Sequence, residues 1–94
     1  MRIDRDLQDL IPGYLENRRG EVTALREALS RGDFETLRVT GHGMKGSGGG
    51  YGFDRITEIG QAIEQAARNN HADIIRENLD LLSDYLDRLE VCYE

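Results

Sequence analysis

The sequence has few of the features on which extracellular and membrane proteins depend. It contains one cysteine, Cys92, and a single cysteine cannot form an internal disulfide, which favours a reducing compartment. No stretch approaches the roughly 20 apolar residues of a membrane span. The first residues also lack the apolar run of a signal peptide. We therefore expect a cytoplasmic protein with no membrane association.

Positive charge is in deficit as well. The 94 residues include 12 lysines and arginines against 18 aspartates and glutamates, which gives a net charge of −6. Non-specific nucleic-acid binding needs a basic face, so we expect no nucleic-acid partner. An anionic membrane surface is disfavoured for the same reason.

Strand patterns are nearly absent, because polar and apolar residues do not alternate over any sustained stretch. Apolar residues recur instead at spacings of three and four, as in amphipathic helices. The sequence predicts an all-α, antiparallel up-down four-helix bundle with a short extra N-terminal helix, since short loops favour antiparallel neighbours. The length favours a single helical domain over residues 1–94, and we expect a monomer.

Local signals indicate where each helix begins and ends. The short N-terminal helix covers residues 3–11 and is interrupted or kinked at Pro12-Gly13. A longer helix ends at Arg31-Gly32, and Asp33 caps the next one, which runs from about Phe34 to about Gly50. Asn70 or His71 caps the last helix. The last two helices carry clear apolar seams, the first formed by Ile56, Ile59, Ile63 and Ala66 and the second by Ile75, Leu79, Leu82, Leu86 and Leu89.

One histidine, His42, is poorly explained by the needs of folding. The apolar stripe of its helix is formed by five residues: Phe34, Leu37, Gly41, Met44 and Gly48. At about 100° per residue, His42 lies roughly 130° from the centre of that stripe and points to solvent. Lys45 follows one turn later on the same outer side, and Gly46 and Gly49 flank the two side chains.

An exposed imidazole beside a lysine suits phosphoryl transfer. The neutral ring is a nucleophile near pH 7, since the unperturbed imidazole pKa is about 6.5. The ammonium of Lys45 can offset the charge that a phosphoryl group brings, and a neighbouring glycine lets a partner's backbone approach closely. The seven glycines between residues 41 and 52 weaken the helix. The alternative that the helix ends early and residues 48–50 form a loop therefore stays open.

The pattern His42-x-Met44-Lys45-Gly46-Ser47, then Tyr51-Gly52 and Ile63-Glu64-x-Ala66, resembles the histidine-containing phosphotransfer (HPt) domain family. The family signature is His-x-Leu-Lys-Gly-Ser, so Met44 is a conservative exchange at a core position. The resemblance covers most of the chain.

The resemblance implies a phosphorelay protein rather than a turnover enzyme. His42 would be the phosphoacceptor, Lys45 would stabilise the phosphoryl group, and the partner-binding residues would be Gly46, Gly49, Arg38 and Ser47. The implied partners are a response-regulator receiver domain, a histidine kinase, or both. The chain would need no cofactor of its own, because Mg²⁺ belongs to the receiver.

Other interpretations of the same residues fit the sequence less well. Gly41-x-Gly43-x-x-Gly46 matches the dinucleotide-binding fingerprint, but that motif must follow a strand, and a helical pattern precedes it here. The P-loop pattern fails because Lys45 is followed by glycine. A metal site lacks ligands, since His71 is the only other histidine and fits a loop or cap.

Two further alternatives concern function. A non-phosphorylated helical adaptor that docks a signalling partner would not need His42. A kinase substrate domain that dimerises would need a self-association surface, which the sequence does not plainly show. The remaining features are assigned no role: Cys92 is a passive terminal residue, and Arg18, Arg19, Arg26 and Arg31 lie on solvated helix faces.

Overall fold

The computed structural model describes residues 2–3, 9–89 and 92–93. Its helical elements are α1 (Ile11–Ser30), α2 (Phe34–Gly50), α3 (Asp54–Arg68) and α4 (Ala72–Arg88). Two strands of two residues each, β1 (Arg2–Ile3) and β2 (Cys92–Tyr93), pair in parallel. The described part of the chain is thus dominated by four helices, as the sequence predicts.

The start of α1 differs from the prediction. Pro12 lies in the first turn of α1, and the helix continues from there to Ser30, so proline stands at a helix start and not at the end of one. Proline is tolerated there because the first N–H groups of a helix have no intrahelical partner. Most of the predicted short N-terminal helix falls on residues 4–8, outside the described residues, while Ile3 lies in β1 and Ile11 already belongs to α1.

The turn between α1 and α2 has the predicted chemistry. Gly32 adopts a φ of +70°, a left-handed conformation that glycine reaches without a steric penalty. The side chain of Asp33 then accepts a hydrogen bond from the backbone N–H of Thr36 at 3.2 Å, which caps α2. Both sequence predictions at this turn are confirmed.

Helix α2 continues through its glycines to Gly50, so the alternative of an early end at 48–50 is wrong. Two of these glycines, Gly41 and Gly48, are buried against α3. The close packing that they permit offsets the weak helix propensity of the segment. The turn that follows contains Gly52 with a φ of +85°.

The seams of α3 and α4 form about half of the core. Their predicted apolar residues up to Leu86 are buried, and Leu89 packs partly buried against them. His71 stands at the N-cap of α4 but makes no side-chain capping hydrogen bond, and Asn70 before it takes a φ of +56°. The seam prediction is confirmed, whereas side-chain capping by His71 is not found.

The contact between α1 and α2 corrects one further prediction. Arg18 does not lie on a solvated face, since its side chain is only 15% exposed. Its guanidinium lies over the Tyr14 ring, 4.6 Å from the centroid, and pairs with Glu21. A cation over an aromatic face is favourable, and the aliphatic stem is buried with the ring.

Within the described residues, no helix is both long enough and apolar enough to cross a membrane. The four helices form contacts between α1 and α2, α2 and α3, α3 and α4, and α1 and α4. Charged pairs between α1 and α4 join Arg19 to Asp87 and Arg26 to Asp80. In the described hydrogen bonds and ion pairs, His42 on α2 is bound by a side chain of α3 and by none of α1 or α4.

Candidate functional site

His42 lies in the middle of α2 and points away from the core. Its side chain is 68% exposed, whereas its neighbours on the inner side, Gly41 and Met44, are buried. A Cβ atom added at Gly43 or Gly46 would meet no other atom within 4 Å, so the helix surface beside the imidazole is open. The outward orientation predicted from the helical pattern is found.

The imidazole is anchored by a residue to which the sequence analysis gave no role. Nδ1 of His42 lies 2.8 Å from Oε2 of Glu64, on α3. The Glu64 side chain is only 3% exposed, and among the described residues it is the one buried charged group. A signal was available, because Glu64 shares the inner face of α3 with Gly60, Ile63 and Ala67, and a glutamate on such a face needs a partner.

This hydrogen bond determines which ring nitrogen can react. A carboxylate only accepts, so Nδ1 must carry the proton and donate it to Glu64. In the neutral ring the other nitrogen, Nε2, then holds the lone pair. The geometry therefore leaves the lone pair on Nε2, the ring nitrogen that is not bonded to Glu64.

Two cations also lie at the Glu64 carboxylate. Nη2 of Arg68 is 3.2 Å from Oε2, and Nζ of Lys45 is 3.8 Å from Oε1. Burial alone would raise the pKa of Glu64, but the hydrogen bond from His42 and the attraction of His42, Arg68 and Lys45 outweigh it and hold that pKa below its usual value. Glu64 is therefore an anion near neutral pH.

Glycines at the contact between α2 and α3 bring these groups together. A Cβ at Gly41 would lie 2.9 Å from the backbone N of Glu64, and a Cβ at Gly60 would lie 2.6 Å from the backbone N of Lys45. Thr57 adds a hydrogen bond from its hydroxyl to the Lys45 carbonyl at 3.2 Å. The two helix backbones can approach this closely only because side chains are missing at the contact.

The predicted partner-binding residues occupy different surroundings. Gly46 and Gly49 are exposed on α2, and Gly49 faces Thr57 of α3. Arg38, one turn before His42, donates from Nε to Oε2 of Glu35 at 3.2 Å. Ser47 instead faces α1, where its hydroxyl lies 3.1 Å from that of Tyr14.

The environment of Ser47 gives it a part in helix packing. Its hydroxyl also accepts a hydrogen bond from Nη1 of Arg18 at 3.4 Å. Tyr14 stacks on Tyr51 with ring centroids 4.3 Å apart, so the serine belongs to a half-buried cluster between α1 and the end of α2. A partner contact for Ser47 stays a prediction, and the structure ties its hydroxyl to α1.

Other ligand chemistries find no support in the described residues. Residues 2–3, 9–89 and 92–93 contain no group of three or more His, Cys, Asp or Glu side chains that could hold a metal ion. The dinucleotide-like glycines lie inside α2, and the element directly before α2 is a helix, α1. His71 lies at the N-cap of α4.

The fold and the site define a small helical domain that presents one carboxylate-anchored histidine to solvent. A family model described as the Hpt domain matches residues 9–91 of the 94-residue chain, and the chain belongs to this family. Comparison with curated proteins gives no match, and neither does comparison with solved structures. The suspected family resemblance is confirmed, and it supports a general role in histidine phosphotransfer.

Proposed function

We propose that this protein carries a phosphoryl group on Nε2 of His42, to or from aspartates of response-regulator receiver domains. A histidine kinase is an alternative donor. The observation that carries the proposal is the pairing of an exposed imidazole with the buried carboxylate of Glu64, 2.8 Å from Nδ1. A surface histidine with no function would not need a buried anion to orient it.

The transfer step follows from this geometry. The lone pair of Nε2 attacks the phosphorus of an aspartyl phosphate, the N–P bond forms, and the bond from phosphorus to the aspartate oxygen breaks. The electron pair of that bond leaves with the aspartate as a carboxylate. The ring keeps its Nδ1 proton and becomes positively charged, and the Glu64 carboxylate stabilises that charge. Delivery to a second aspartate is the reverse reaction.

Lys45 is suited to stabilise the phosphoryl group. Its ammonium is three residues from His42 on the same helix face and 42% exposed, so it can turn towards a group on the ring. A phosphoryl group brings nearly two negative charges, and charge-assisted contacts to it are strong. We propose that Lys45 leaves Glu64 for the phosphoryl oxygens when His42 is phosphorylated.

The open surface around His42 would admit the receiver. Gly46 and Gly49 present no side chains there, and Arg38 lies one turn away as a further cation. The Mg²⁺ ion of the reaction belongs to the acidic pocket of the receiver, and the chain needs no cofactor of its own. We further propose that the protein acts as a carrier rather than a turnover enzyme.

The three-residue loops between successive helices support an antiparallel up-down order of the four helices. We propose that residues 1–94 act as one domain, as a monomer, in the cytoplasm. The acidic net charge of −6 disfavours nucleic acid and anionic membranes as partners.

The proposal is tested by transfer from the labelled protein. Wild type is phosphorylated with phosphoramidate, freed of reagent, and mixed with a receiver domain and Mg²⁺, and both masses are followed over time. We expect the phosphoryl group to leave this protein and appear on the receiver. Hydrolysis without any receiver labelling, for every receiver of the source organism, would favour the adaptor alternative.

A substitution at Gly46 separates docking from chemistry. A side chain at this position has open space, so Gly46→Glu should fold normally and still react with the small donor. We expect it to transfer to the receiver at least about tenfold more slowly than wild type, because the new side chain occupies the approach path. Gly20→Ala, a change on α1 in equally open surroundings, is the control and should transfer like wild type.

A further inference from the structure

The Glu64 carboxylate creates a conflict at the nucleophile. It orients the ring through Nδ1, but an anion beside an imidazole also favours the protonated ring. A protonated imidazole has no lone pair on Nε2 and cannot attack phosphorus. A carrier that works near pH 7 therefore needs the carboxylate to orient the ring. The same carboxylate must not stabilise the second ring proton, the one on Nε2, too strongly.

Arg68 is placed to reduce that pull. Its Nη2 donates to Oε2 of Glu64 at 3.2 Å, the same oxygen that accepts from His42. Arg68 is the last residue of α3 and follows Glu64 by four positions, so the helix geometry and the C-terminal dipole both favour a cation there. A guanidinium stays charged throughout the physiological range.

The other charges near His42 are differently engaged. On α2, Arg38 is paired with Glu35, and Lys45 approaches Oε1, the opposite oxygen of Glu64, at 3.8 Å. On α3, Glu64 and Arg68 are the charged groups at the ring. Among the described residues, Arg68 is thus the cation within hydrogen-bond distance of the oxygen that holds Nδ1.

We infer that Arg68 is a positioning residue that shares Oε2 of Glu64 with His42, so that the carboxylate orients the imidazole without keeping it protonated. The inference rests on the proposed function and adds to it a control over the pH range in which the site can accept a phosphoryl group. Arg68 acts through Glu64 and does not need to touch the phosphoryl group. Its removal should leave His42 attached to Glu64 but protonated over a wider pH range.

An NMR titration tests the inference without any phosphorylation. The ring signals of His42 are followed between pH 5 and 9 in wild type, Arg68→Gln and Arg68→Lys. We expect the midpoint of Arg68→Gln to lie about half a pH unit above that of wild type, because one neighbouring charge is lost. Arg68→Lys keeps the charge and should titrate close to wild type. Arg55→Gln removes an exposed arginine elsewhere on α3, which pairs with Glu58, and should leave the midpoint unchanged.

The rate of labelling by phosphoramidate provides a second readout. The ratio of the Arg68→Gln rate to the wild-type rate is measured at each pH, which cancels the pH dependence of the reagent. We expect a ratio of about one third at pH 5.5, rising to near one at pH 8.5, since half a pH unit is a factor of about three in the neutral fraction.

An unchanged midpoint in Arg68→Gln would overturn the inference, and so would a rate ratio below one that is the same at every pH. The second result would assign Arg68 to phosphoryl contact or to simple structural support. A midpoint of Arg68→Lys equal to that of Arg68→Gln would also overturn it, because the role is one of charge. If wild type takes no phosphoryl group on His42, the proposed function fails, while the titration still decides the role of Arg68.

Discussion

At the scale of single residues, the two side chains at the centre of the site differ in their exposure to solvent. His42 is 68% exposed and can meet a partner, whereas Glu64 is 3% exposed and is protected from competing contacts. A partly buried hydrogen bond to a charged acceptor is stronger than one in water, so the ring is held in one orientation before any partner arrives. The imidazole and the carboxylate that orients it therefore differ in burial and lie on different helices.

Replacing the carboxylate tests this division. In Glu64→Gln the side chain can still accept a hydrogen bond from Nδ1, but it carries no charge to stabilise the ring as the N–P bond forms. We expect labelling of His42 by phosphoramidate to slow by about tenfold, followed by intact mass. Glu58→Gln, at an exposed position of α3, is the matched control, and equal rates for the two variants would remove Glu64 from the mechanism.

The sequence was more informative about His42 than about Glu64. His42 is conspicuous because glycines surround it and the helical pattern turns it outwards. Glu64 appeared only as part of a family pattern, since a helical glutamate is normally a surface residue. The spacing of Gly60, Ile63 and Ala67 places Glu64 on the inner face of α3, but its partner could not be identified without the register between α2 and α3.

At the scale of helices, the contact between α2 and α3 sets the geometry of the site. Gly41 and Gly48 on α2 and Gly60 on α3 stand where an added Cβ would meet backbone atoms of the other helix within 3.0 Å. Backbone atoms cannot rotate away as the end of a long side chain can. The spacing of the two helices, and with it the contact between His42 and Glu64, depends on these glycines.

A methyl group at this contact should therefore damage both the fold and the site. In Gly60→Ala the new Cβ would lie 2.6 Å from the Lys45 nitrogen, so α2 and α3 must separate. We expect a loss of about 1–3 kcal/mol in the free energy of unfolding, measured in urea, together with slower labelling of His42.

Gly20→Ala serves as the control for that substitution. Gly20 lies within α1, and an added Cβ there meets nothing within 4 Å. Alanine is the better helix former, so this variant should gain about 0.5–1 kcal/mol. Unfolding of Gly60→Ala at or above the wild-type urea concentration would contradict the close-contact account of α2 and α3.

Helix boundaries were predictable where local chemistry determines them. Gly32 and Asp33 mark the turn between α1 and α2, and both perform the predicted roles. Pro12 was misinterpreted because proline breaks a helix interior but is tolerated in a first turn, and the difference depends on where the helix begins. Arg18 was predicted to be exposed because the groups that bury it, the Tyr14 ring and the end of α2, come together only through tertiary contacts.

At the scale of the whole molecule, the buried site couples stability to pH. The pKa of Glu64 is held below its usual value, because the bond and charges of His42, Arg68 and Lys45 outweigh the effect of burial. A carboxyl group with a lowered folded-state pKa contributes stability above its unfolded-state pKa of about 4.3 and loses it as the pH falls through the folded value. Protonation of Glu64 in acid should therefore lower the free energy of unfolding.

Urea unfolding between pH 5.5 and pH 3 measures this coupling. Wild type should lose more unfolding free energy over this range than Glu64→Gln, whose amide does not titrate. Asp33 and Glu35, whose pKa values are also lowered through their bonds to Thr36 and Arg38, are present in both proteins and cancel in the difference. Equal losses in the two proteins would show that the pKa of Glu64 is the same in the folded and unfolded states, and would contradict the coupling.

The proposed role of His42 as phosphoacceptor is tested by the intact mass of the protein after treatment with phosphoramidate. Wild type, His42→Gln and His71→Gln are treated in parallel, the last because it removes the other histidine at the start of α4. We expect one acid-labile phosphoryl group on wild type and on His71→Gln, and none on His42→Gln. Labelling of His42→Gln to the same extent as wild type, or no labelling of any of the three, would contradict it.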